Sequence, residues 1–371
     1  MLKAPEIKPK TLTGDLRQGG YKLSCTVEGD TDIVVSGQNI QLRGKSGADF
    51  LDNDFRTFFD GHATADPDSL QITRYNSAAQ IPVGTMDALL AGESLQDIGF
   101  TEQASPANDH QITGLQLADI VEHIFKRHCN AFYHATTTPD GVITSTDIDT
   151  TNSVALERYN VSKSTNMWRS LQTIGGGERA GEFFLPFFDR KNKFYYQPFP
   201  AFWATKPTTK GTIDKNHLKD TIKVKRNSNS PGAKVGQVSL TAVKDFDTVN
   251  TASFPTNPAI GKILPTRDGI FAEDQTKTTT LATRLYQWLT RKYTVTIEVD
   301  PALILFGDDG NGLEIANMIT LDYDGPAEDA ISGAGLSLDL SDDYFIFRIQ
   351  INFDLEGKTA QGFLTLESDP T

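Results

Sequence analysis

The sequence predicts an α+β chain, mainly β, with strand-rich modules at both ends and a helical middle. Three stretches carry that reading. The first is a helix through Leu281, Leu285, Trp288 and Leu289 that feeds a strand in which Val295, Ile297 and Val299 alternate with Thr294, Thr296 and Glu298. The second is a run of alternate apolar positions at Phe345, Phe347, Ile349, Ile351 and Phe353, backed by Arg348, Gln350 and Asn352. Apolar residues at a period of two mark a strand with one buried and one wet face. The third is the aromatic pair of segments Phe183–Phe188 and Lys193–Tyr196, joined by Asp189-Arg190-Lys191-Asn192, which reads as a β-hairpin.

Taken in order, the first sixty residues read as β, with strands at Tyr21–Val27, Thr31–Val35 and Asn39–Gly44. Phe50, Leu51, Phe55, Phe58 and Phe59 fall at helical spacing, so Ala48–Phe59 is expected to be a short helix. Residues 60–110 have weak periodicity and read as short elements and loops. Leu117, Ile120, Val121, Ile124 and Phe125 then follow the spacing of an amphipathic helix, with Thr113 as the expected cap. Lys126, Arg127 and His128 complement the dipole at its end. A second helix is expected through Met167, Trp168, Leu171 and Ile174, capped by Ser164 and stopped at Gly175-Gly176-Gly177, with the aromatic hairpin packed on it. Strands follow at Thr221–Arg226 and Gln237–Val243. Residues 245–275 read as a long irregular excursion, and the late helix is expected to open after Thr278-Thr279-Thr280. A turn at Glu356-Gly357-Lys358 returns the chain into Gln361–Glu367, with Phe363 on the inward side.

Composition narrows the function. With 48 acidic and 35 basic residues the formal charge is −13. Such a balance disfavours binding to duplex phosphates, which needs clustered Lys and Arg. The one basic cluster, Lys223-Val224-Lys225-Arg226, alternates like the wet face of a strand. An acidic excess suits the wall of a channel through which DNA slides without sticking, and it suits many other proteins too. Cys25 and Cys129 are too few for a disulfide framework and read as buried free thiols or a single long-range bridge. The start, Met1-Leu2-Lys3-Ala4-Pro5, lacks the apolar core of a signal peptide, and no apolar run reaches membrane-spanning length.

Motifs for chemistry fail on spacing. His123, His128 and His134 lack the i, i+4 geometry of a helical metal site and read as helix-end or solvent residues. Asp308-Asp309-Gly310-Asn311-Gly312 begins like a calcium loop, but the twelfth position is Ile319 where a Glu is required, so a turn between strands is expected. Gly175–Gly181 lacks the Gly-Lys-Ser/Thr end of a phosphate loop and follows a helix instead of opening one. No Gly-x-Ser-x-Gly elbow and no placed carboxylate pair is present. No cofactor or metal is expected, and the chain is not read as an enzyme.

The order of four segments resembles the central hub proteins of phage tail baseplates and related contractile injection machines. These are the helix Gly114–Cys129; Ser164–Leu171 with the sheet Phe183–Tyr196 ending at Pro198; Leu281–Val299 followed by Leu305-Phe306-Gly307-Asp308; and the closing hairpin Tyr344–Leu366. They cover most of residues 110–370. The resemblance implies two antiparallel β-barrel-like (tail-tube-like) domains with a smaller helix-plus-sheet middle domain. The expected limits are 1–105, 106–205 and 206–371, with a helical or irregular insertion at about 245–292. It implies a homotrimeric, pseudo-sixfold ring that adapts a sixfold tail tube to a threefold spike or tip. Tube and distal tail proteins would sit on one face and the spike on the other, in a virion component made in the host cytoplasm. DNA and tape-measure protein would pass through the channel without specific binding. Arg348, Gln350 and Asn352, on the wet face of Tyr344–Asp354, are the expected interface residues. A receptor- or carbohydrate-binding tail-tip module would instead expose aromatics on loops, whereas Trp168 and Trp288 fall on apolar helix faces. A tail-associated cell-wall hydrolase would need a further catalytic domain.

Overall fold

A computed structural model describes residues 6–28, 38–44, 56–65, 68–72, 77–85, 98–102, 111–125, 146–148, 155–156, 158–161, 166–176, 184–199, 207–226, 235–243, 249–258, 261–272, 274–290, 293–307, 312–323, 340–354 and 359–368, with isolated positions at 87, 91, 104–105 and 108. One twelve-stranded sheet dominates. Its pairing path runs Leu218–Arg226, Tyr293–Val299, Thr359–Ser368, Asp342–Asp354, Glu6–Asp15, Gly20–Glu28, Ser77–Gly84, Arg56–Ala63 and Asn39–Gly44. The strand-rich ends of the chain are therefore sewn into one sheet, with Leu12 opposite Ile351 and Thr13 opposite Gln350. The path is open at both ends, and no sheet closes into a barrel among the described residues.

The sequence periodicity explains which face is buried. Leu12, Leu23, Cys25, Val27, Val295, Ile297, Val299, Ile349, Ile351, Leu364 and Leu366 all face one continuous core. Two expectations need correction. The Asp342–Asp354 strand bulges between Ile346 and Arg348, so Tyr344, Phe345 and Ile346 are all buried and Phe347 is only half-buried. Phe363 lies outward, because Leu364 and Leu366 take the core positions on either side of Thr365. The turn at 356–358 lies outside the described residues.

The middle helix and hairpin form as their patterns require. Met167–Gly176 is helical and capped by Asn166, whose Oδ1 accepts from the Arg169 amide at 2.6 Å; Ser164 lies outside the described residues. Trp168 packs on Phe188 with centroids 5.7 Å apart, and Phe125 stacks on Phe194 at 4.0 Å. The earlier helix spans Leu117–His123, and its N-cap is Gln116, three residues beyond the expected Thr113. The Asp119 carboxylate accepts from the Gln116 amide at 2.9 Å.

Elsewhere strand replaces helix or loop. Arg56–Phe59, expected to end a helix, opens the strand Arg56–Ala63; residues 45–55 lie outside the described set. The expected excursion at 245–275 contains Val249–Phe254, Lys262–Ile263 and Arg267–Phe271, which pair with Val235–Val243 in a second sheet. The helix on that sheet, Gln275–Leu289, starts before the threonines, because Asp274 caps it by accepting from the Lys277 amide. Its buried face is Thr278, Ala282, Leu285 and Trp288, with Leu281 and Leu289 at the margin. Residues 301–305, just before the Asp308–Gly312 segment, form a short helix where a strand was expected. Cys25 is buried, and burial pushes its ionisation up to about 11. Cys129 lies outside the described residues. Among the described residues no helix is long and apolar enough to cross a membrane.

Candidate assembly interface

The outward face of the large sheet is built by the residues that alternate with its core. Register places Thr296, Thr365, Arg348 and Asp15 in one row across four strands. A second row runs Glu298, Phe363, Gln350, Thr13 and Lys22. A third runs Gln361, Asn352, Thr11 and Ser24. Hydroxyls and amides predominate, and Phe363 is the half-buried apolar residue among them. Asp15, Glu28, Glu298 and Asp354 stand against Lys8, Lys22, Lys223, Lys225 and Arg348, so the acidic excess of the chain is not carried on the described part of this face.

All three expected interface residues lie here. Gln350 and Asn352 come together, with Gln350 Nε2 donating to Asn352 Oδ1 at 3.0 Å. Arg348 is drawn aside to Asp15, to whose Oδ2 its Nε donates at 3.0 Å. The other oxygen of Asp15 accepts from the Arg17 and Gln18 amides, fixing the turn between the first two strands. Gly19 completes that turn at φ 84°, the left-handed region glycine favours. Arg17 then reaches over Trp288 and Phe347, its guanidinium 5.0 and 5.7 Å from the ring centroids. Asp15 was missed in the sequence because its role depends on a strand more than three hundred residues away.

A second constellation locks the middle hairpin between the two ends of the chain. In the hairpin turn Asp189 Oδ1 accepts from the Lys191 and Lys193 amides, both at 2.8 Å, and Asn192 takes φ 59°. The turn projects Arg190 inward, where it is 1% exposed. Its Nε donates to Glu314 Oε1 at 2.7 Å, and Tyr21 Oη donates to Glu314 Oε2 at 2.7 Å. Tyr21 Oη in turn accepts from the Ile315 amide at 3.0 Å. On the other side the Arg190 carbonyl accepts from the Asp60 amide, and Asn192 Nδ2 donates to the Asp60 carbonyl.

The electrostatics follow from burial. Desolvation works against the Arg190 charge, but the Glu314 carboxylate, together with Tyr21 and Asp189 beside it, outweighs that cost and holds the guanidinium protonated more firmly than usual. Burial, then the neighbouring Glu314 charge, pushes the Tyr21 hydroxyl well up. The same two causes push Asp189 up to about 6, against the pull of the Lys193 and Lys191 amides. Beside these groups lies a cavity of about 390 Å³, with Asp189, Tyr195, Lys210, Glu314 and Asn317 among its walls.

The other sequence candidates do not assemble. His123 packs edge-on against Phe100 with centroids 5.2 Å apart; His128, His134 and residues 308–311 lie outside the described set. Among the described residues no three His, Cys, Asp or Glu side chains gather as metal ligands would.

No protein-family model and no curated protein matches the sequence. Solved structures do match in shape. The tail protein of Neisseria meningitidis MC58 aligns over 99% of this chain and 97% of its own, with a TM-score of 0.60 at 10% identity. The 43 kDa tail protein of prophage MuSo2 from Shewanella oneidensis covers 98% and 95% with a TM-score of 0.49 at 13% identity. The E. coli c3393 protein, a component of the type VI secretion system, covers 99% and 75% with a TM-score of 0.49 at 11% identity. The resemblance read from segment order thus holds at the level of the fold, and the chain shares, over nearly its whole length, the fold of the Neisseria tail protein.

Proposed function

We propose that this protein is a structural baseplate hub of a phage or phage-like tail, working by geometry and without catalysis. The observation that carries this reading is the end-to-end correspondence with the Neisseria tail protein, which leaves almost no part of either chain unmatched. In this reading residues 1–105 and 206–371 are the two barrel-like modules and residues 106–205 the middle domain. Three copies form a pseudo-sixfold ring between the sixfold tail tube and a threefold spike or tip.

The single large sheet supports the reading, since two modules that must hold a fixed angle in a ring are best joined by strand pairing. Its outward face, where half-buried Thr11, Thr13, Thr296 and Thr365 stand among exposed Lys22, Lys223, Lys225 and Arg348, supports a contact with neighbouring subunits. Arg348, Gln350 and Asn352 are the proposed contacts on that face. Absolute mass from light scattering across a concentration series, with electron microscopy of the same sample, tests the proposal. A trimer that images as a six-lobed ring is expected. A monomer at every concentration would overturn it and favour a receptor-binding tip module.

A further inference from the structure

The second sheet has an uncharged outer strand that is exposed on one side. Charged residues make up 22% of the chain, yet Val235–Val243 and residues 249–258 contain none. The core side of these two strands, Val238, Leu240, Ala242 and Ala252, is buried beneath the Gln275–Leu289 helix, where Phe254 meets Tyr286 with centroids 5.4 Å apart. The opposite side shows Ser239, Thr241 and Val243 half-buried, and Val249, Thr251 and Ser253 exposed. Val249 is 57% exposed.

Val249–Phe254 is the outer strand of this sheet. The Thr251 carbonyl accepts from Gln275 Nε2 at 2.6 Å, so it points away from the neighbouring strand. Backbone groups alternate along an antiparallel strand, so those of Val249 and Ser253 point outward with it. Free strand edges are normally blunted with Lys or Pro to prevent pairing. The outer strand Leu218–Arg226 of the large sheet is blunted in this way, with Lys219, Lys223 and Lys225 exposed. Val249–Phe254 carries no Lys or Pro, and Gln275 occupies one of its outward groups, the Thr251 carbonyl.

We infer that the Val249–Phe254 edge and its uncharged outer face are a contact surface between copies of this chain. Copies that each carry −13 repel one another, so their contact is favoured where charge is absent. Depletion of charge is also the compositional mark of an interface core. This inference rests on the ring reading and gives it a location.

The test compares the absolute mass of the wild-type protein with that of V249K/T251K, with T280K on the exposed side of the adjacent helix as control. A trimeric wild type and T280K, with V249K/T251K reduced to the 40.7 kDa of one chain while keeping a cooperative thermal transition, is the expected result. If V249K/T251K loses its thermal transition, V249D alone carries the test. Variants as trimeric as the wild type overturn this surface and leave the ring reading standing. A monomeric wild type overturns both.

Discussion

Arg190 and Glu314 meet at 2.7 Å in the interior, although one belongs to the middle hairpin and the other lies 124 residues on, beside the final strands. Tyr21, from the second strand, joins them through the same carboxylate. One ion pair thus binds three distant parts of the chain, with the Arg190 guanidinium sealed in the interior and the Glu314 carboxylate at the wall of the cavity.

Glu314→Ala leaves the Arg190 guanidinium buried and unpaired, and breaking a buried pair in this way typically costs about 3–5 kcal/mol. Glu314→Gln keeps an acceptor for Tyr21 and should cost less. Urea denaturation followed by tryptophan fluorescence ranks the two; equal loss, or none, would show that the pair does not hold the junction.

Asp189 gives the pH dependence a definite sign. Its folded carboxyl is pushed up to about 6 from an ordinary value of 3.8, so between those values the folded protein holds more proton than the unfolded one. This group's contribution to stability therefore falls as pH rises through that window. Asp189→Asn keeps an oxygen for the Lys191 and Lys193 amides but does not titrate. The variant should be the more stable at about pH 7.5, with its advantage shrinking toward about pH 4. Paired thermal melts across that range check it, and a constant difference would refute the assignment.

Asp15 and Arg348 should respond unequally to truncation. Arg348 is 48% exposed at the side chain, so Arg348→Ala is expected to cost no more than about 1 kcal/mol. Asp15 is 6% exposed and also serves the Arg17 and Gln18 amides, so Asp15→Ala should cost about 1–3 kcal/mol. Chemical denaturation of both variants decides the order.

Gly312 sits at φ 70°, and a Cβ there would come within 2.5 Å of the Ile304 carbonyl oxygen and 2.6 Å of that of Leu305. The left-handed conformation alone costs a non-glycine residue about 1–2 kcal/mol, and the two carbonyls add to that. Gly312→Ala should lower the thermal midpoint, while Gly114→Ala, with a similar φ of 65° and open space around it, should lower it less.

Much of the architecture was legible where one face of an element is wet. Val295, Ile297 and Val299 betray their strand because Thr294, Thr296 and Glu298 alternate with them. The same logic fails at Phe58 and Phe59, since both sides of that strand meet protein: Phe59 is fully buried and Phe58 meets Phe306 edge-on at 6.2 Å. Apolar residues on both sides imitate helical spacing. Threonine misled in the opposite direction: Thr278, Thr279, Thr280 and Thr283 sit within the helix, and each satisfies its hydroxyl on the carbonyl four residues back. The expected interface strand was readable, whereas Asp15, Arg190 and Glu314 gain their roles only from contacts that no local pattern encodes.

The pairing of Glu6–Asp15 with Asp342–Asp354 also sets the timing of biogenesis. At about 5–20 residues per second, roughly 20–70 s separate the emergence of the first strand from that of its second neighbour. Through that interval the nascent first strand has one side paired to Gly20–Glu28 and the other open.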